Sequence, residues 1–140
     1  MYDLSRKHFC KWSLLLLVLF QLTACFLKQD RTTTVYGTIT DEKGQPVDSI
    51  LVIAEGVEWW RGTKLHSTYS AENGSYEILI EVPKKFDAID VIIPAYSTGN
   101  EKYFSQYKVG KILKDGKQVG SCCTAAIGSK TQYDFELVVR

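Results

Sequence analysis

Thr34-Val35-Tyr36-Gly37-Thr38-Ile39-Thr40 runs directly into Asp41-Glu42-Lys43-Gly44-Gln45-Pro46. The first seven residues alternate. Val35, Gly37 and Ile39 share one face, and Tyr36 and Thr38 share the other. That two-residue period belongs to a half-buried β-strand. The six residues after it predict a turn, since Gly44 takes positive φ without steric cost and Pro46 cannot donate to a ladder.

The same order of strand and turn recurs along the chain. Ser49–Glu55 is a β-branched run suited to a strand buried on both faces. Lys64–Ser70 gives a weaker strand. Asn73-Gly74 is a strong hairpin signal. In 75–81, Tyr76, Ile78 and Ile80 point inward, with Glu77 and Glu81 outward. Asp87–Ile93 and Gln132–Val139 repeat the pattern, the last with Tyr133, Phe135, Leu137 and Val139 on one face. Between Ser97 and Ser129 the signal is weakest: one strand around Tyr103–Val109, a turn at Asp115-Gly116 and a Cys-Cys segment. No stretch of the exported chain carries a 3.6-residue apolar period over several turns. Short strands with turns between them predict an all-β sandwich of about seven strands.

The N-terminus has a separate logic. Arg6, Lys7 and Lys11 precede the apolar run from Leu14 to Leu22, the order of a secretory signal. The run is shorter than the roughly 20 residues a stable span needs. It ends in Leu22-Thr23-Ala24-Cys25, which resembles the lipobox of bacterial lipoproteins. The resemblance implies acylation of the Cys25 thiol and cleavage just before it. Several acyl chains give stable anchoring, at about 0.8 kcal/mol per buried methylene. The residue after Cys25 is Phe26 and not Asp, which for this class implies the outer membrane, facing the periplasm. The expected organisation is therefore a signal peptide over 1–24, a lipidated tether over 25–33 and a sandwich over 34–140.

Cleavage removes Arg6, Lys7, Lys11 and Asp3, so the net charge of +1 becomes −1. Nucleic-acid binding, which wants a strongly basic face, is not expected. Lys102, Lys108, Lys111, Lys114 and Lys117 read as a solvated edge. Of the four cysteines, Cys10 leaves with the signal and Cys25 takes lipid. The adjacent Cys122 and Cys123 can pair as a vicinal disulfide, stay as thiols or join another chain. Neighbours on a strand face opposite ways, which works against the vicinal bond. Two adjacent Cys and one exported His do not supply a zinc site.

Val35-x-Gly37-x-Ile39-x-Asp41-x-x-Gly44-x-Pro46-Val47, then Asn73-Gly74-Ser75-Tyr76, Val82-Pro83 and Ile92-Ile93-Pro94-Ala95-Tyr96, resemble the carboxypeptidase regulatory-like domain. The resemblance covers 34–96. It implies a transthyretin-like (prealbumin-like) sandwich, carbohydrate-binding-like by fold, that serves as a folding, spacing or binding unit without catalysis or cofactor. The segment Gly56–Gly62 is an insertion relative to that pattern.

No phosphate loop, nucleophile elbow or zinc-helix motif is present. His66 is the single exported histidine, whereas a transthyretin-related hydrolase should carry several. The functional candidates are aromatic. If Trp59 and Trp60 are extended, one enters the core and one faces out. The favoured role for them is a lid over the sandwich end. The alternative is stacking on a sugar or a protein partner. Tyr96, Tyr103, Phe104 and Tyr107 form a second cluster, mostly core, with a partner surface as the other reading. The first expectation is a lipid-anchored structural or protein-interaction module. The second is a glycan or small-ligand binder using the Trp59/Trp60 loop, recognised by exposed Trp with a pocket beside it.

Overall fold

A computed structural model describes residues 30–96, 98–120 and 122–140. The signal segment and the lipobox Leu22–Cys25 lie outside the described residues. Arg31–Arg140 forms one compact unit. Its first strand, β1, spans Thr32–Asp41 and so begins two residues before position 34.

The alternation in β1 is realised: Thr33, Val35, Gly37 and Ile39 are buried, and the residues between them are not. At its end, Asp41 Oδ1 accepts hydrogen bonds from the Lys43 and Gln45 backbone N–H groups, both at 2.8 Å. Gly44 takes φ 76° in that turn.

The remaining strands are β2 (Leu51–Glu58), β3 (Arg61–Tyr69), β4 (Ser75–Glu81), β5 (Ala88–Ile92), β6 (Tyr107–Lys114), β7 (Lys117–Gln118), β8 (Thr124–Ala125) and β9 (Lys130–Val139). A single short helix among the described residues, α1, covers Glu101–Gln106. Two sheets result, ordered β4-β1-β9-β6-β7 and β3-β2-β5-β8. The β1–β9 pair is parallel and every other pair is antiparallel. The chain is an all-β sandwich with seven strands of five residues or more.

Inner faces meet in one core. Val35, Ile39, Tyr76, Ile78, Tyr133, Phe135 and Leu137 of the first sheet pack with Val52, Ala54, Ile89 and Val91 of the second. The Tyr76 hydroxyl donates to the Tyr133 carbonyl at 2.7 Å, so the phenol is buried with its polar group satisfied. Burial pushes the Tyr76 pKa far upward, with the Asp134 carboxylate and Tyr133 adding to the effect. β2 starts at Leu51 and not at Ser49, which is exposed at φ 62° ahead of the strand, and Leu51 to Ala54 are all buried, as a strand closed on both faces requires.

Three local expectations change. Asn73-Gly74 does make a tight turn, with the Gly74 N–H donating to the Ala71 carbonyl at 2.8 Å. It carries the chain from β3 in one sheet to β4 in the other, so it is a crossing and not a hairpin. Tyr103–Val109 is not one strand. α1 ends at Gln106 and β6 begins at Tyr107. Tyr103 is buried from the helix, and its hydroxyl accepts a 3.3 Å bond from the Val109 N–H. Val139, expected inward, is exposed at the end of β9, past the last core position, Leu137.

The crossings define two ends. The 70–74 turn places Tyr69 beside Ser75. The 82–87 crossing places Glu81 near Ala88, whose partner is Val57. Thr32 pairs with Glu81. Arg31, the 82–87 crossing and the turn after Glu58 therefore share one end of the sandwich. Tyr69, residues 93–96 and 98–100, and α1 share the other.

Candidate functional sites at the two ends

Trp59 and Trp60 form the two-residue turn between β2 and β3, closed by the Glu58–Arg61 pair. Hairpins with two-residue turns need a positive φ at the first turn position. Trp59 adopts it, at φ 60°. Neither ring enters the core: they are 83% and 82% exposed. Both the lid expectation and the one-in, one-out expectation fail, because this tight turn carries its two side chains past the end of the strand pair it joins. The rings lie edge to face with centroids 6.3 Å apart. Gly56–Gly62, an insertion by pattern, is simply the far part of this hairpin.

Beside the turn sits the 82–87 crossing. The Phe86 ring is buried and lies against Gly56, where a Cβ would come within 2.6 Å of it. The Asp87 N–H donates to the Val57 carbonyl at 3.0 Å. Arg31 grips the same crossing. Its Nε donates to the Val82 carbonyl at 2.9 Å, and its Nη2 donates to the Pro83 and Phe86 carbonyls at 3.2 and 2.7 Å. The residue that begins the sandwich is thus fixed at the Trp end.

At the other end the aromatic cluster splits. Tyr103 is 5% exposed and belongs to the core, and Tyr107 is half-buried. Their outward neighbours Tyr96 and Phe104 are exposed, as are Tyr69 and Val139. The Tyr69 hydroxyl donates to the Gly99 carbonyl at 2.8 Å. Asn100 is buried, its Oδ1 accepting from the Leu51 N–H and its Nδ2 donating to the Pro94 carbonyl. Periodicity could not separate Phe104 from Tyr103, because the helix that turns one inward and the other outward is a turn and a half long.

An open cleft of about 470 Å³ lies along the β1–β4 side and is lined by Tyr36, Thr38, Thr68, Tyr69, Glu77 and Gln132 among others. Thr68 and Tyr69 stand at the opposite end of β3 from Trp60, about 25 Å away at 3.3 Å per residue. The Trp turn and this cleft do not form one site.

The Cys122 and Cys123 sulfurs face one another across a cis peptide bond, just before β8. The pair therefore stands outside any strand, so the opposite-face geometry does not apply there. Cys123 is buried and Cys122 exposed. His66 is exposed on β3, the edge strand of its sheet. Among the described residues, no group of three His, Cys, Asp or Glu side chains is placed to hold a metal ion. Among the described residues, no helix is long and apolar enough to cross a membrane. No protein-family model matches the chain, and no curated protein matches it in sequence.

Proposed function

We propose that this protein is a bacterial lipoprotein, anchored through acylated Cys25 to the periplasmic side of the outer membrane. Its sandwich acts as a non-enzymatic structural or protein-interaction module of the regulatory-like, transthyretin-like kind. The observation that carries the reading is the polarity of the sandwich. The chain joins it at Arg31, six residues after Cys25, while Tyr69, Tyr96, Phe104 and Val139 are exposed at the opposite end. Exposed aromatic side chains on a rigid support suit a protein partner. A module tethered by one end presents the other to the envelope space.

A second reading, binding of a glycan or another small ligand, draws on the β1–β4 cleft. Three tyrosines, two threonines, a serine, a glutamate and a glutamine are among its lining, the mixture of ring faces and hydrogen-bonding groups that a sugar uses. That differs from the ligand site expected at Trp59/Trp60.

The test is intact mass and membrane fractionation of the native protein beside Cys25→Ser. The expected result is a wild-type mass of acylated Cys25–Arg140 in the membrane fraction, with the variant released. A soluble, unacylated wild type refutes the anchor.

A further inference from the structure

We propose that the Trp59–Trp60 turn docks into the headgroup layer of the membrane that holds the Cys25 lipid, giving the domain a second contact and a fixed orientation. The inference rests on the lipid-anchor reading and adds an interaction surface to it.

Four observations carry it. The first is exposure. Two adjacent indoles more than four-fifths exposed form one apolar patch, the kind of surface that marks a contact with a protein or a membrane. The second is backbone. Trp59 occupies the left-handed region at φ 60°, where glycine is the ordinary residue and a bulky one is strained. The sequence places an indole there at a cost in stability, so packing of the fold does not explain it.

The third is position. Arg31 is the sixth residue after Cys25, a reach of at most about 20 Å when fully extended. Arg31 is bonded to the 82–87 crossing, and that crossing packs on Gly56 and Val57 immediately before the turn. The ten residues of β1 put the opposite end about 30 Å further off. An anchored domain therefore carries its Trp turn toward the bilayer.

The fourth is chemistry. Indole, with an apolar body and a polar N–H, settles at the level of lipid headgroups. The surrounding charges are mixed, with Arg61, Lys84 and Lys85 set against Glu58, Glu81 and Asp87. Docking should therefore require neither anionic lipid nor low salt. A convex turn lying about 25 Å from the cleft suits a broad, soft layer better than a sugar needing a walled site.

Exported protein offers a direct probe. Trp12 leaves with the signal, so Trp59 and Trp60 are the two tryptophans of Cys25–Arg140. Acylated protein is reconstituted into phosphatidylcholine vesicles with plain or brominated acyl chains, floated, and its emission read. The expected result is floating protein with blue-shifted emission, severalfold quenching by the brominated chains, weak quenching by acrylamide, and no change at high salt. The single variants Trp59→Ser and Trp60→Ser each keep part of the quenching and assign it to a ring. Floating protein that ignores bromine and is open to acrylamide overturns the docking while leaving the anchor intact, and hands the turn to a protein or glycan partner. Protein that carries no acyl mass and does not float overturns the anchor, and the docking with it.

Discussion

Asp48 Oδ1 takes a 2.6 Å hydrogen bond from Lys102 Nζ, joining the segment after β1 to α1. That bond first, and then one from the Ser49 hydroxyl, lower the Asp48 pKa from 3.8 to about 2. A carboxylate with a lowered folded pKa adds stability that is complete above its unfolded pKa. It is lost as pH falls through the folded one. The Asp48 contribution should thus be whole above pH 4 and fade toward pH 2. Urea midpoints of wild type and Asp48→Asn, taken across that window, should converge as acid is added. A constant gap would mean the carboxylate contributes nothing through its charge. Glycine makes a second claim at this scale. Gly44 and Gly74 share φ 76°, yet a Cβ on Gly44 meets nothing within 4 Å, while one on Gly74 falls 2.5 Å from the Ile39 carbonyl oxygen. Gly44→Ala carries only the backbone penalty, about 1 kcal/mol. Gly74→Ala adds a collision with backbone and should cost about 3 kcal/mol. Equal losses by chemical denaturation would show that the crossing yields more easily than its geometry implies.

Among the elements, the β2–β3 hairpin has the least orthodox turn. A first-position tryptophan in the left-handed region costs about 1–3 kcal/mol, and glycine there gives back part of the gain through a more flexible unfolded chain. Trp59→Gly should therefore raise the unfolding free energy by about 1 kcal/mol while removing one exposed ring. A destabilised variant would mean that the indole supports the hairpin. The same turn shows where sequence patterns stop working. β1, β4 and β9 each bury one face, so alternation reveals them, and the fourfold burial of Leu51–Ala54 reveals β2. β3 is an edge strand whose residues are largely exposed, and no burial pattern marks it strongly. Asn73-Gly74 announces a tight turn correctly, but turn chemistry does not say which sheet the next strand joins. Trp59-Trp60 carries none of the usual hairpin residues, so the true hairpin passes for an insertion. α1 is too short to display a period, so the pattern reads Tyr103 as strand and does not separate Phe104 from it.

For the whole molecule, the decisive feature is that each end has its own set of exposed aromatics, and that only one end lies near the start of the sandwich. This division was not legible in the sequence: it depends on which strands the crossings join, and those are long-range choices that local patterns do not encode. It carries a prediction about the anchored protein that no single side chain makes. If the Arg31 end rests on the bilayer, amide hydrogens in 58–61 and 82–87 should exchange severalfold more slowly in acylated protein on vesicles than in soluble Cys25→Ser. Those in 93–96 and 98–100 should exchange alike in both states, because those residues stand a strand length away. Strand amides near the centre of β1 and β9 report global opening and act as the internal control. Protection confined to the Trp end would orient the sandwich with Tyr69, Tyr96 and Phe104 outward, available to an envelope partner. Protection at 93–96 and 98–100 instead would mean that the domain lies over on its other end. The short tether makes that arrangement awkward, since about 20 Å of chain must then run past a sandwich about 30 Å long. Uniform exchange at both ends would leave an anchored domain that tumbles freely on its tether, with its tryptophans open to solvent.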